Sequence, residues 1–160
     1  MLETAFNNAL LEEVAIKFYI HDIIDSLNQP YDLLVMSSDV INYLDNENDV
    51  KKAFKNISDA MDKDSVFIFD FLRIEYLNSL DNYHEDIELE DTIIKWNIEK
   101  TSNENQVKHT LEMDDVTETH IQSTYSLKKY KQLLNSENLK VVKSKTLDER
   151  IILVCERKSN

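Results

Sequence analysis

The amino-acid sequence predicts an α/β fold that carries an inserted antiparallel β-meander. Two short, largely apolar runs, at 31–36 and 66–71, are typical of parallel strands buried on both faces. An amphipathic stretch at 50–61 separates them and predicts a helix. Beyond residue 87, apolar and polar residues alternate, which is typical of antiparallel strands with one solvated face. This order of elements favours a single α/β domain with a parallel sheet.

The N-terminal region is predicted to contain one helix and one strand. Apolar side chains recur at helical spacing over residues 2–10 and predict an amphipathic helix. Residues 14–20 are then predicted to form a strand whose end carries Asp22. Pro30 marks the loop that leads into the apolar run at 31–36.

Two of the predicted helices carry suitable N-caps, because short polar side chains accept hydrogen bonds from the first helical turn. Either Asn46 or Asn48 is suited to cap the helix at 50–61. Ser126 is suited to cap a further amphipathic helix at 127–134. Both helices are therefore expected to begin at defined positions.

The region 87–125 is predicted to be the meander, inserted between two parts of an α/β core at 1–86 and 126–160. Its alternating stretches predict about three strands, near residues 94–98, 107–113 and 119–125. Two further strands are predicted to close the chain as a hairpin, at 139–142 and 150–155.

Composition and charge limit the location and the classes of partner. With 31 acidic and 18 basic residues the net charge is −13, so we expect the chain to repel nucleic-acid phosphates. No apolar run is long enough to span a membrane, and the N-terminus does not resemble a signal peptide. The single cysteine, Cys155, is expected to be a reduced core residue. We therefore expect a cytoplasmic protein with no nucleic-acid partner, no membrane partner and no metal site.

The chain contains no glycine among its 160 residues. A dinucleotide-binding G-x-G-x-x-G and a phosphate-binding P-loop both need glycines, because their backbones approach the ligand closely. The sequence therefore excludes both of these nucleotide-binding motifs within the chain.

Four stretches, in this order, resemble the class I S-adenosylmethionine-dependent methyltransferases, in particular the small-molecule branch with a late β-meander. They are IKFYIHDI at 16–23, YDLLVMSSDVINYL at 31–44, VFIFDF at 66–71, and YSLKKYKQLLNSENLKVV at 125–142 with ERIILVCERK at 149–158. The opening MLETA resembles the helix after the family's second strand. The resemblance thus implies an incomplete Rossmann-like methyltransferase sheet that lacks the glycine-rich cofactor loop.

Two positions at which this family usually has glycine carry other residues here. Lys63-Asp64-Ser65 precedes the strand at 66–71, and Asn138 follows the last helix. Asp and Asn are the residues that best tolerate a left-handed backbone after glycine. We therefore expect Asp64 and Asn138 to replace glycine at these turns.

The resemblance implies a site for S-adenosylmethionine at the strand ends. Asp22 would accept a hydrogen bond from the adenine amino group, and Ile23 would pack on the adenine ring. Ser37 and Ser38 would face the methionine end of the cofactor. The alternative for Asp22 is a solvent-facing carboxylate at a strand end.

The same resemblance places the methyl acceptor beside the loop that follows the run at 31–36, where ligand sites of open α/β sheets lie. Asp39 or Tyr43 would orient an amine or hydroxyl nucleophile, and Asn42 would contact the substrate. The alternative is that the polar residues of this loop cap a helix and that Tyr43 packs in the core.

In the meander, Trp96, His109 and Tyr125 are candidate substrate contacts. His109 would suit a general base, because histidine titrates near neutral pH. The alternatives are a hydrogen-bonded histidine without a catalytic role and aromatic side chains that belong to the core. Arg150 resembles the arginine of the family's closing motif and is expected to form a structural ion pair.

Three functional hypotheses remain open at this stage. The first is a methyltransferase-like domain truncated before the cofactor loop, inactive alone, which closes its sheet as a homodimer or by strand exchange. The second is a non-catalytic acidic module that binds a protein partner, such as a phage-encoded inhibitor. The third is an active enzyme with a different cofactor pocket, which transfers a methyl group from S-adenosylmethionine to a small-molecule amine or hydroxyl.

Overall fold

The computed structural model describes residues 2–89 and 92–158 and has a mixed α/β architecture. Its helices are α1 (Leu2–Leu11), α2 (Glu47–Asp59), α3 (Ile74–Ser79) and α4 (Leu127–Ser136), with a 3-10 helix at Val40–Tyr43. Its strands are β1 (Leu33–Met36), β2 (Val66–Leu72), β3 (Tyr83–Glu88), β4 (Ile93–Lys100), β5 (Gln106–Met113), β6 (Val116–Ser123), β7 (Leu139–Thr146) and β8 (Arg150–Arg157). None of the helices in these ranges is long and apolar enough to cross a membrane.

The first sheet has the strand order β1-β2-β8-β7. β1 runs parallel to β2, with Leu33 opposite Val66, and the α2 crossover connects the two strands. β8 pairs antiparallel with both β2 and β7. The predicted parallel strand–helix–strand unit and the closing hairpin are therefore confirmed, and both hairpin strands extend beyond their predicted ends.

The main core lies on one face of this sheet, where α2 and α4 cover it. Phe54 of α2 lies 5.3 Å from Phe69 of β2, measured between ring centroids, and Tyr130 of α4 lies 4.1 Å from Phe71. Cys155 is buried in the same cluster, and this burial raises the pKa of its thiol to about 12. The thiol is therefore protonated at neutral pH and behaves as an apolar core group.

The N-caps of both covering helices match the sequence prediction. The Asn46 side chain accepts a hydrogen bond from the Asp49 backbone N–H, and the Ser126 hydroxyl accepts one from the Lys129 N–H. Asn48, the alternative cap, lies inside α2. Each cap satisfies one of the N–H groups that the first helical turn leaves unpaired.

The second sheet is an antiparallel meander of four strands, β3 to β6, whereas about three were predicted. The additional strand is β3, whose sequence YHEDIE is polar and exposed along almost its whole length. It lacks the apolar alternation that reveals a strand with one buried face. A small separate core, in which Leu77 of α3 is buried with Ile98 and Val107, stabilises this sheet.

The predicted strand at 14–20 is wrong. These residues have no regular secondary structure, and Tyr19 and Ile20 are 74% and 91% exposed. An apolar run forms a strand only where a neighbouring backbone supplies hydrogen-bond partners. Among the described strands β1 pairs only with β2, so its other edge is not closed by this segment. The predicted helix α1 does form, but it buries no residue.

The turns confirm one glycine replacement and correct the other. Asn138 has φ 60°, the left-handed conformation expected after the last helix. Asp64 does not have a positive φ. Its turn is held instead by Ser65, whose hydroxyl accepts from the Asp62 N–H and donates to the Tyr31 carbonyl.

The two sheets are joined by a buried polar contact centred on Asn42, which is 0% exposed. Its amide nitrogen donates to the Ser123 carbonyl at 2.7 Å, and its amide oxygen accepts from the Leu72 N–H at 2.9 Å. The Thr124 hydroxyl donates to the Leu72 carbonyl at 2.6 Å. The C-terminal ends of β2 and β6 are thereby held against each other.

We expect Asn42→Ala to lower the free energy of unfolding by about 3 kcal/mol, because it leaves the Leu72 N–H and the Ser123 carbonyl buried without partners. Urea unfolding of the wild type and the variant measures this loss. Asn48→Ala, on the exposed surface of α2, is the matched control and should change stability by no more than about 0.5 kcal/mol. Equal stabilities of the two variants would contradict the joining role of Asn42.

Candidate functional site

A cavity of about 370 Å³ lies between the two sheets, beside the carboxyl ends of β1 and β2. Ligand sites of open α/β sheets occur at these strand ends. Its polar and aromatic lining comprises Asp39, Tyr43, Tyr76, Tyr83, Trp96, His109, Gln122, Glu149 and Arg150. We refer to it as the inter-sheet cavity.

A strained turn after β1 positions the first of these side chains. Ser38 and Asp39 have φ values of 63° and 51°, a left-handed conformation that costs roughly 1 kcal/mol or more in a residue other than glycine. The turn is held because the Asp39 N–H donates to Asp70 Oδ1 at 3.2 Å. It places Asp39 Oδ2 within 2.8 Å of Gln122 Nε2, on the wall formed by β6.

An ion cluster forms the base of the cavity. Arg150 Nη1 lies 2.5 Å from Asp70 Oδ2 and 3.4 Å from Asp39 Oδ1, and Asp70 is only 7% exposed. The ion pair predicted for Arg150 is therefore present. Glu149 also lines the cavity, so the ion cluster and the lining together carry three carboxylates and one guanidinium, an excess of negative charge.

His109 belongs to the opposite wall and is 8% exposed. Its ring stacks on Trp96, whose indole Nε1–H donates to His109 Nδ1 at 3.2 Å. Burial lowers the pKa of His109, and the neighbouring Gln122 partly opposes this shift. Within the described residues, His109 Nε2 has no hydrogen-bond partner.

The structure brings together four of the residues that the sequence singled out for chemistry. Asp39, Tyr43, Trp96 and His109 all line the inter-sheet cavity, although they belong to distant parts of the chain. Tyr43 is half exposed, and its ring packs edge-on against His120 with centroids 6.3 Å apart. These side chains converge because the 3-10 helix after β1 packs against the end of the meander.

Two residues predicted to contact substrate lie elsewhere. Asn42 has no exposed surface and uses its amide in the contact that joins the sheets. Tyr125 packs edge-on against Tyr130, 5.6 Å between centroids, and lines a different cavity of about 250 Å³. Both side chains therefore have structural surroundings rather than access to the inter-sheet cavity.

The residues predicted to bind the cofactor lie near the free edge of β1. Asp22 is exposed, and its Oδ1 accepts a hydrogen bond from the Ile24 N–H at 3.1 Å. Ile23 is partly buried against the main core and lines an apolar cavity of about 330 Å³. Ser37 and Ser38 are exposed in the turn directly after β1.

Several residues of the site were not found by sequence analysis, among them Asp70, Gln122 and Tyr76. Asp70 had a usable signal, because it is the one charged residue in the otherwise apolar β2. Gln122 and Tyr76 had none, since their positions in the cavity arise only when the second sheet and α3 pack on the first.

Solved structures reveal a close similarity of fold. A S-adenosylmethionine-dependent methyltransferase from Clostridium acetobutylicum ATCC 824 superposes with a TM-score of 0.86 at 21% sequence identity, over 99% of this chain and 71% of that one. The chain has the fold of the S-adenosylmethionine-dependent methyltransferases. The sequence itself matches no protein-family profile and no curated protein.

Two further structures share this methyltransferase fold. CcbJ from Streptomyces caelestis superposes with a TM-score of 0.72 and 11% identity, over 88% of this chain and 63% of that one. CalS10 from Micromonospora echinaspora superposes with a TM-score of 0.67 and 10% identity, over 86% of this chain and 63% of that one. CalS10 is an amino pentose methyltransferase solved with S-adenosylmethionine bound. The chain thus spans less than two thirds of the length of either protein.

The residues present fit S-adenosylmethionine only in part. Ile23 offers an apolar surface and Asp22 a carboxylate, but Asp22 already accepts a backbone hydrogen bond of its own turn. The turn after β1 consists of residues with a Cβ, whereas close approach of backbone to a ligand usually requires glycine. The described residues therefore do not by themselves complete a site for this cofactor.

We expect His109 to make stability depend on pH. Because the pKa of His109 is lowered in the folded state, the unfolded chain takes up the proton first as the pH falls. The contribution of His109 to the free energy of unfolding is complete above its pKa in the unfolded chain, about 6.5. It is lost as the pH falls through the lower pKa that His109 has in the folded state. His109→Gln should therefore lose less stability than the wild type between about pH 7.5 and 5.5, measured by urea unfolding.

His21→Gln is the control for this experiment, because His21 is exposed and does not line the inter-sheet cavity. It should retain the pH dependence of the wild type. Indistinguishable pH profiles for the wild type and His109→Gln would show that His109 is not the group responsible.

Proposed function

We propose that the chain is a methyltransferase-like domain that supplies the acceptor-binding part of a S-adenosylmethionine-dependent reaction and does not transfer methyl groups by itself. The observation that carries this proposal is the inter-sheet cavity, which lies at the carboxyl ends of β1 and β2 in a methyltransferase fold. Its walls come from both sheets, so the meander covers the site and limits the access of water.

The methyl acceptor that we propose is a small-molecule amine, with a hydroxyl as the alternative nucleophile. The excess of carboxylates over guanidinium in the cavity favours a cationic ligand. The aromatic faces of Tyr43, Tyr76 and Trp96 also attract a cation. The action of CalS10 on an amino pentose is in keeping with an amine acceptor.

Asp39 and Tyr43 remain the proposed orienting residues. The Asp39 carboxylate is fixed by Gln122 and Arg150, so it would hold an amine in a defined position. Tyr43 would close the mouth of the cavity over the ligand. Methyltransferases of this kind gain most from proximity and alignment, so rigid placement of the acceptor is the main contribution expected of these side chains.

The proposal of inactivity rests on the cofactor side. The chain contains no glycine, and the free edge of β1 lies beside Asp22, Ile23, Ser37 and Ser38. These residues would contribute to S-adenosylmethionine binding only in a more complete site. We therefore propose S-adenosylmethionine as the cofactor of the domain, and weak or no binding by this chain alone.

Calorimetric titration with S-adenosylmethionine and S-adenosylhomocysteine tests the cofactor proposal. We expect no heat of binding at micromolar ligand and no shift of the melting temperature at millimolar ligand. Micromolar binding that is lost in Asp22→Asn would contradict the proposed weak binding and would establish a working cofactor pocket. Asp25→Asn, an exposed carboxylate of the same loop, is the control.

The acceptor proposal predicts that Asp39→Asn weakens binding of a simple amine, cyclohexylamine, about tenfold, since about 1.4 kcal/mol of charge attraction is lost. Chemical-shift titration of the cavity residues measures the affinity. Asp45→Asn, outside the cavity, should bind like the wild type. An unchanged affinity in Asp39→Asn would contradict a role of this carboxylate in amine binding.

The second candidate function is a non-catalytic acidic interaction module. It is favoured by the face of the first sheet opposite α2 and α4, whose apolar side chains are Leu33, Val35, Val66, Ile68, Ile152 and Val154. Leu33 and Val35 at the edge are 56% and 61% exposed. Exposed apolar surface of this kind marks interaction sites. We propose that it binds either a second copy of the chain or another protein, as in a phage-encoded inhibitor.

A homodimer formed through β1 would be disrupted by Val35→Lys, because a lysine on an edge strand opposes pairing with another strand. We expect sedimentation equilibrium to give at least a tenfold weaker association for this variant. Val142→Lys on β7, the opposite edge of the same sheet, is the matched control. A wild-type chain that stays monomeric at high concentration would contradict the dimer.

A further inference from the structure

The contact between Trp96 and His109 determines which nitrogen of the imidazole carries the proton. An indole Nε1–H is a donor and cannot accept, and it lies 3.2 Å from His109 Nδ1. Nδ1 must therefore be the acceptor with a free lone pair. In a neutral ring the proton then resides on Nε2. The lowered pKa of His109 agrees with the neutral form at pH 7.

The resulting Nε2–H is a buried donor with no partner among the described residues. A buried donor without an acceptor costs stability, because its hydration has been lost and nothing replaces it. The groups nearest to the ring do not remove this cost: the amide nitrogen of Gln122 donates to Asp39, and the Gln122 side chain, whose proximity raises the pKa of His109, lies outside hydrogen-bond geometry with Nε2. His120 and Asp39 act on His109 only at longer range.

We propose that His109 is a fixed hydrogen-bond donor that recognises an acceptor oxygen on the ligand of the inter-sheet cavity, and that Trp96 is the positioning residue that sets its tautomer. The ligand class is a hydroxylated amine. Its amine lies toward Asp39 and Glu149, and one of its oxygens accepts from His109 Nε2. This assignment rests on the proposed function in one respect, namely that the cavity holds the methyl acceptor.

The assignment changes the role that the sequence suggested for His109. A general base at Nε2 would need the proton on Nδ1, and this proton would face the Trp96 N–H, donor against donor. The indole therefore favours the tautomer that donates at Nε2. His109 selects the ligand by its oxygen, and the carboxylates select it by its charge.

The tautomer is tested first, by two-bond proton–nitrogen NMR on protein with ¹⁵N-labelled histidine at about pH 8. We expect the wild type to show a protonated Nε2 and an unprotonated Nδ1 for His109. Trp96→Phe should give a mixture of both tautomers. Tyr83→Phe is the matched control, because Tyr83 packs on Trp96 with centroids 5.5 Å apart, while its hydroxyl donates to Glu85 and the Trp96 N–H donates to His109. A proton on Nδ1 in the wild type would overturn the proposal, whatever the behaviour of the variants.

Ligand selection is tested with two primary amines on a six-membered ring, the hydroxylated D-glucosamine and the oxygen-free cyclohexylamine, in the absence of any methyl donor. We expect the wild type to bind glucosamine at least tenfold more tightly and the His109 Nε2–H signal to shift on binding. His109→Phe should lose this preference, and His109→Asn, which keeps an N–H donor, should recover part of it. A preference that survives in His109→Phe would overturn the proposal.

The outcomes separate this inference from the proposed function. Equal binding of both amines by the wild type would overturn the role of His109 and leave the amine-binding cavity intact. Binding of neither amine would overturn both the ligand class proposed here and the amine acceptor. Neither result depends on whether S-adenosylmethionine binds.

Discussion

The arrangement of the molecule depends on one buried carboxamide, that of Asn42. The two sheets share no strand and hence no backbone ladder, so the backbone groups that meet at their junction need another source of hydrogen bonds. Asn42 supplies it, because an amide side chain can donate to one strand end and accept from another at the same time. The inter-sheet cavity exists because this contact fixes how far apart the sheets lie.

Much of the fold could be predicted from the sequence, because one-sided burial leaves a periodic pattern. Helix α2 and the apolar strand β2 were placed correctly for this reason. The strand predicted at 14–20 failed, since strand formation depends on a neighbouring backbone that no local pattern reports. In the site, the position of Asp39 after β1 was predictable from topology, whereas Gln122 enters the cavity only through packing of the sheets.

The two candidate ligand regions differ in how completely the side chains of this protein enclose and fix them. The inter-sheet cavity has walls from both sheets, fixed carboxylates and a histidine that accepts a hydrogen bond from Trp96. The region at the free edge of β1 has exposed serines, a carboxylate occupied by its own turn, and apolar side chains that no described helix covers. The inter-sheet cavity is thus ordered, whereas the region at the free edge of β1 is an open surface.

The absence of glycine also affects the state from which the protein folds. At seven positions in the described part of the chain the backbone is left-handed without glycine, and five of these carry Asn or Asp. Each costs the native state a little strain. Average usage would place about eleven glycines in a chain of this length. Each non-glycine residue in place of one lowers the conformational entropy of the denatured chain, which stabilises the fold by about 0.4–1 kcal/mol where the native backbone conformation suits that residue. The lower conformational entropy of the denatured chain therefore offsets the strain that the left-handed turn residues impose on the native state.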